Sequence, residues 1–199
     1  MSDKQYHHGD LRNALIEAGI KMIGEEGEEK LSLRRLASAC QVSNAAPYAH
    51  FAGKEELLWA IQEHVTWKFM DYLQTAVAEY EEPDGEAALI TLGKAYVRFF
   101  IQNPSYFAFL FSRGYIKVKL SIKEEARGEE TEGNFPPYEL LKKCYLRYNA
   151  QRGQEISRKQ QELELVHLWA DVHGIASLAL MENVTWDRTW EEAIEELIR

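Results

Sequence analysis

The sequence predicts an all-α protein, with an N-terminal three-helix domain carrying a helix-turn-helix and a larger helical domain after it. Three observations lead there. Apolar residues recur at helical spacing along nearly the whole chain, and the period-two alternation of a strand is scarce. Helix start and stop signals fall at regular intervals. A 25-residue window from Lys30 to Lys54 contains no Asp or Glu between its ends, although the chain carries a net charge of -9.

The elements follow in order. Asp10 is placed to cap a first helix, with Leu11, Leu15, Ala18 and Met22 on one stripe and Gly27 at its end. Ser32 can cap a short second helix that turns Leu33, Leu36 and Ala37 inward. A break at Cys40-Gln41-Val42 follows, and Ser43 can cap a third short helix ending near Phe51. Pro47 falls in its first turn, where a missing N–H is tolerated. After Gly53 a long helix starts near Lys54 and carries Leu57, Ile61, Val65, Phe69 and Leu73 on one face. The spacing predicts further helices over about 86–103, 105–113, 136–152 and 157–183. A loop is expected over 121–134, which is acidic and nearly free of large apolar groups. The last helix opens on Thr189-Trp190-Glu191-Glu192, a capping box. The domain boundary is drawn near Lys54: 1–55 and 56–199.

Bulk properties narrow the classes. Two cysteines, Cys40 and Cys144, lie far apart and fit no metal-ligand spacing, so no cofactor or metal is expected and a reducing compartment fits. No apolar run approaches the ~20 residues that span a bilayer, so neither membrane nor export is expected, and the location is read as cytoplasmic. No Gly-x-Ser-x-Gly elbow, phosphate-binding Gly loop or His-Glu-x-x-His is present, so no catalytic residue is assigned.

Two short helices joined by a three-residue break form a helix-turn-helix, whose second helix enters the major groove. Carboxylates there would repel phosphates, which accounts for the clean window. Asn44 can bond adenine in bidentate fashion, and the methyl groups of Ala45 and Ala46 can meet thymine methyls. Ser43 supplies a donor beside them. Tyr48, His50 and Lys54 suit phosphate contacts, which position without specifying. The free N–H groups near Ser32 can take a phosphate, and Arg34 adds charge. A helical protein-interaction module without specific DNA binding stays open beside this reading, because the first 62 residues hold seven Lys and Arg against nine Asp and Glu.

The stretch "HHGDLRNALIEAGIKMIGEEG", followed by "LSLRRLASACQVSNAAPYAHFAGKEELLWAI", resembles the DNA-binding domain of TetR family transcriptional regulators over residues 7 to about 61. One position departs from that pattern: Gln41 stands where the turn usually carries Gly. Residues 168–178, "LWADVHGIASL", resemble a subgroup with a Trp-x-x-x-His-Gly motif. The resemblance implies a homodimeric repressor on a palindromic DNA operator, released by a small-molecule effector of unknown identity. The helices near 157–183 and 189–199 would form the dimer. Aromatic residues concentrate between 96 and 115, so Tyr96, Phe99, Phe100, Phe107 and Phe111 are candidate effector contacts. Trp169 and His173, one turn apart on the long helix, join them.

Overall fold

The computed structural model describes residues 8–78, 85–112, 116–122, 134–153 and 155–199. Every regular element among them is helical: α1 (His8–Glu26), α2 (Leu33–Ala39), α3 (Lys54–Val77), α4 (Gly85–Gln102), α5 (Pro104–Ser112), α6 (Pro136–Arg152), α7 (Arg158–Ala179) and α8 (Trp190–Leu197). Two short 3-10 helices, Glu28–Lys30 and Ala46–Ala49, flank α2. The expected loop over 121–134 falls largely outside the described residues.

The chain divides into two compact units. The first holds α1, α2, α3 through Trp67, and α5. Its core is closed by Leu15, Ile16 and Ile20 of α1, Leu36 of α2, Phe51, and Leu57 and Ile61 of α3, all fully buried. α5 packs against α1, with Phe109 and Leu110 buried. The approach is close at Gly24, where a Cβ would stand 2.8 Å from Ser105 Oγ. Glu17 ties three helices: its carboxylate accepts from Tyr106 Oη of α5 at 3.1 Å and pairs with His64 Nε2 of α3 at 2.8 Å. The boundary expected near residue 55 therefore lies inside this unit, which also takes in the aromatic α5.

The second unit holds α3 from Lys68, α4, α6, α7 and α8. α4 packs against both α6 and α7. Phe69 sits at the centre of its aromatic core, with ring centroids 5.3 Å from Tyr96, 4.9 Å from Phe99 and 4.6 Å from Phe100. α6 opens on Pro136 and Pro137 and stops at Gly153, whose left-handed φ of 62° ends it. α7 is capped by Ser157. It stops at Ala179, short of the expected 183, because Met181–Val184 closes a separate turn. α8 has the expected capping box and is fastened to α4 by Lys94–Glu195 at 2.6 Å and by Arg98 with Glu191 and Glu195.

Candidate functional site

The turn after α2 is built by backbone bonds. Gln41 has φ +56°, the left-handed region, and is the one non-glycine residue there among the described residues. Val42 N–H bonds Ala37 C=O at 2.9 Å, and Gln41 N–H bonds Ser38 C=O at 3.1 Å. This pair of bonds is a Schellman cap, which satisfies two of the orphan carbonyls at the end of α2 and redirects the chain. The position that the sequence marks as a departure thus adopts the glycine-like geometry with a glutamine.

The segment expected as a third α-helix from Ser43 is instead a turn followed by the 3-10 helix Ala46–Ala49. Its bonds run from Ala46 N to Ser43 O, Tyr48 N to Ala45 O and His50 N to Pro47 O, all three residues apart. Pro47 has no N–H with which to make the α-type bond to Ser43, so the tighter winding holds until Phe51 N reaches Pro47 O. Buried Pro47 and Phe51 hold the segment against the core.

Outward, Ser43, Asn44 and Ala45 are exposed, Ala46 and His50 are half-buried, and Tyr48 is 58% exposed. Ser32 caps α2, accepting from Arg35 N–H at 3.3 Å. Arg34 is exposed. Lys54, at the start of α3, is half-buried, and its Nζ ammonium donates to Glu28 C=O at 2.6 Å. Arg35 is different. Its guanidinium bonds both oxygens of Glu26, at 2.7 and 2.9 Å, and the Lys30 carbonyl at 3.0 Å. This pairing holds the Glu26 carboxyl below its ordinary range and raises the Arg35 pKa. The charge of Arg35 is thus matched within the protein, leaving Lys30 and Arg34 as the exposed cations of the window.

In the second unit a cavity of about 180 Å³ opens between α3, α4, α6, α7 and the end of the chain. Of the expected effector contacts, Tyr96 and Trp169 line it. His173 stands behind Tyr96, whose hydroxyl bonds His173 Nδ1 at 2.9 Å. Burial lowers the His173 pKa and raises that of Tyr96, so both groups are neutral near pH 7 and the hydroxyl can donate to an unprotonated Nδ1. Phe99 and Phe100 are core, packed on Phe69. Phe107 and Phe111 belong to α5 in the first unit, stacked on each other at 4.9 Å, and do not line the cavity.

Other lining residues escaped the sequence reading, among them Leu89, Gly93, Tyr138, Leu141 and Ile175. Their signal is apolar helical periodicity, which is the same for a cavity wall as for a filled core. Gly93 is legible only in three dimensions: a Cβ there would lie 3.0 Å from Ile198 Cγ2 and 3.2 Å from Val172 Cγ1.

A compact helical head carrying this turn, followed by a helical body with an apolar cavity, defines the helix-turn-helix transcriptional regulators. The chain belongs to the tetR family: the family of bacterial regulatory proteins of that name matches residues 15–61, and the tetracyclin repressor-like C-terminal domain matches residues 89–199. The uncharacterized HTH-type transcriptional regulator YobS of Bacillus subtilis is 26% identical over 99 residues, half of each chain. The HTH-type transcriptional regulator BetI of Brucella anthropi is 30% identical over 79 residues, 40% of this chain and 41% of that one. The chain thus spans half or less of the length of these curated relatives. Among solved structures, a protein of unknown function from Rhodococcus sp. RHA1 superposes with a TM-score of 0.70 at 26% identity, covering 99% of this chain and 98% of that one. The AibR complex with isovaleryl coenzyme A and operator DNA superposes with a TM-score of 0.68 at 15% identity, covering 94% and 96%.

Proposed function

We propose that the protein is a homodimeric, effector-released repressor that reads a palindromic operator. The carrying observation is the exposed, acid-free surface from Ser43 to Ala49, displayed by a Schellman-capped turn on a closed helical head. In this reading Asn44, Ala45 and Ala46 meet base edges, while Ser32, Arg34, Ser43, Tyr48, His50 and Lys54 hold the phosphate backbone.

The dimer reading is supported by α7. Of its 22 residues only Leu165 and Ala176 are fully buried. Leu163, Ala170, Gly174 and Leu178 fall on one stripe by helical geometry, opposite those two, and Leu163 and Leu178 are 47% and 46% exposed. Ala170 and Gly174 at its middle allow a partner helix to come close, and nothing lies within 4 Å of a Cβ at Gly174. With α8 this would make a four-helix interface. Two heads would then address half-sites ~34–36 Å apart.

The effector-release reading is supported by a single continuous helix: α3 carries Leu57 and Ile61 in the core of the head and Leu73 at the cavity. An effector that binds one spacing of the heads better than the other shifts the population toward it. The Trp169-x-x-x-His173-Gly174 motif supports reading the chain as a member of the corresponding subgroup. No catalytic role is proposed, and the location is cytoplasmic.

Selection from a random duplex library tests the core of this reading. An enriched palindrome, affinity that falls steeply with salt, and loss in Tyr48→Ala are expected. Folded, dimeric protein that enriches nothing would instead favour a protein-interaction module. The exposed Trp59 and Trp67 of α3 would then be the surface to follow.

A further inference from the structure

The cavity of the helical body has a size and a polarity, and together they select a ligand class. Its volume is about 180 Å³. A cavity of ~150 Å³ lined by Leu, Ile and Phe stays dry and admits benzene. The present one opens to solvent, so this volume sets what it can bury: a single ring with one or two further carbons. Its walls are aliphatic at Leu89, Leu92, Leu141 and Ile175 and aromatic at Tyr138 and Trp169. Those two rings lie 5.6 Å apart with a 49° tilt, presenting ring faces and edges to an occupant.

The polar atoms of the wall are already engaged. Tyr96 Oη bonds His173 Nδ1 at 2.9 Å, and Tyr138 Oη donates to the Leu120 carbonyl at 3.2 Å. A charged or strongly hydrogen-bonding group would give up water there and find its would-be partners taken. The two charged lining residues, Asp171 and Arg199, are both exposed, so they mark the opening and not the interior. They are of opposite sign, so the opening favours neither anion nor cation.

We propose that this cavity takes an uncharged, single-ring aromatic molecule, burying about seven or eight of its heavy atoms. The assignment rests on the reading of the helical body as an effector domain, and it names that effector's class. Affinity is set by apolar burial and ring packing, and the Asp171–Arg199 opening contributes little.

The test uses the full chain with toluene, ethylbenzene, butylbenzene, benzoate, octanoate and isovaleryl coenzyme A, followed by calorimetry and Trp fluorescence. Toluene and ethylbenzene should bind, with about a fourfold gain for each carbon buried until the cavity is full. Butylbenzene should bind less well than ethylbenzene, and benzoate at least tenfold less well than toluene. Leu141→Ala should move the optimum to a longer substituent, and Ile175→Trp should abolish binding. Circular dichroism confirms that each variant is folded. Tighter binding of benzoate, octanoate or the thioester, or no ring binding by folded wild-type protein, would overturn the assignment. So would an unmoved optimum in folded Leu141→Ala.

Release of a selected operator is measured separately. Ring binding without release would leave the ligand class standing and remove the repressor mechanism. Release by a carboxylate or thioester, with no ring binding, would do the reverse.

Discussion

Replacing Gln41 with glycine is expected to stabilise the protein. Gln41 sits at φ +56°, where an L-residue brings its Cβ against the following carbonyl at a cost of about 1–2 kcal/mol. The geometry is held by the Schellman bonds of Gln41 and Val42, which involve backbone only and survive the substitution. The Gln41 side chain is exposed, so little packing is lost. Against this, glycine is freer in the unfolded chain, which offsets about 0.4–1 kcal/mol. The balance is a gain of about 0.8 kcal/mol, or roughly 2–3 °C in a chain of this size. Gln41→Asn should fall between, since Asn enters this region more readily, and Gln41→Val should lower the midpoint because a β-branched residue is disfavoured there. Thermal unfolding followed by circular dichroism on the three variants tests the series. A glycine variant less stable than wild type, or a valine variant as stable, would show that the left-handed turn is not what positions the segment after α2.

Three further predictions follow from single features. Gly174→Glu should leave the fold intact or slightly steadier, by about 0.5 kcal/mol of helix propensity, because a Cβ there meets open space, yet dissociate the proposed dimer; sedimentation velocity showing an intact dimer would remove α7 from the interface. Gly85→Ala should cost about 1–3 kcal/mol in chemical denaturation, because its Cβ would meet Tyr148 Cα at 2.8 Å and backbone cannot yield as a side chain can. Burial holds His173 below its ordinary pKa of about 6.5, so below that pH the unfolded chain takes up the proton and the folded one resists it. Stability should therefore decline as pH falls through about 6.5 toward the lower folded pKa, and more steeply than in His173→Gln; equal slopes for the two proteins would show that His173 titrates normally.

Most of the helical framework was legible in the sequence because several helices carry their own start signals, although α1 begins at His8, ahead of the expected Asp10 cap. Ser32, Ser157 and the Thr189 capping box act locally, within three or four residues, and each caps the helix that its position implies. The exposed face from Ser43 to Tyr48 was legible for a related reason: the absence of carboxylates there is written in composition, and on the proposed reading a phosphate-facing surface excludes them. The winding of the same segment was misread. Pro47 is tolerated in the first turn of an α-helix, but here its missing donor leaves only three-residue bonds, and burial of Pro47 and Phe51 settles the outcome.

Long-range pairing was the other gap. The aromatic run from Tyr96 to Phe111 reads as one patch, yet Pro104 breaks it. Tyr96 then faces a cavity, Phe99 and Phe100 fill the core around Phe69, and Phe107 and Phe111 join the α5 that packs on α1. Periodicity shows that a side chain is turned inward but not what it meets there. A wall of a cavity and a filled core use the same residues, and they differ only in whether the opposite side chains reach. At Gly93 the missing Cβ lets Ile198 and Val172 approach α4, and the space left beside them is set by residues a hundred positions away. On the proposed reading, the residues that meet DNA are constrained by a partner of constant chemistry and share a local signature. The residues that line the cavity share no such local signature, so their pattern becomes visible only once α4, α6 and α7 are packed together.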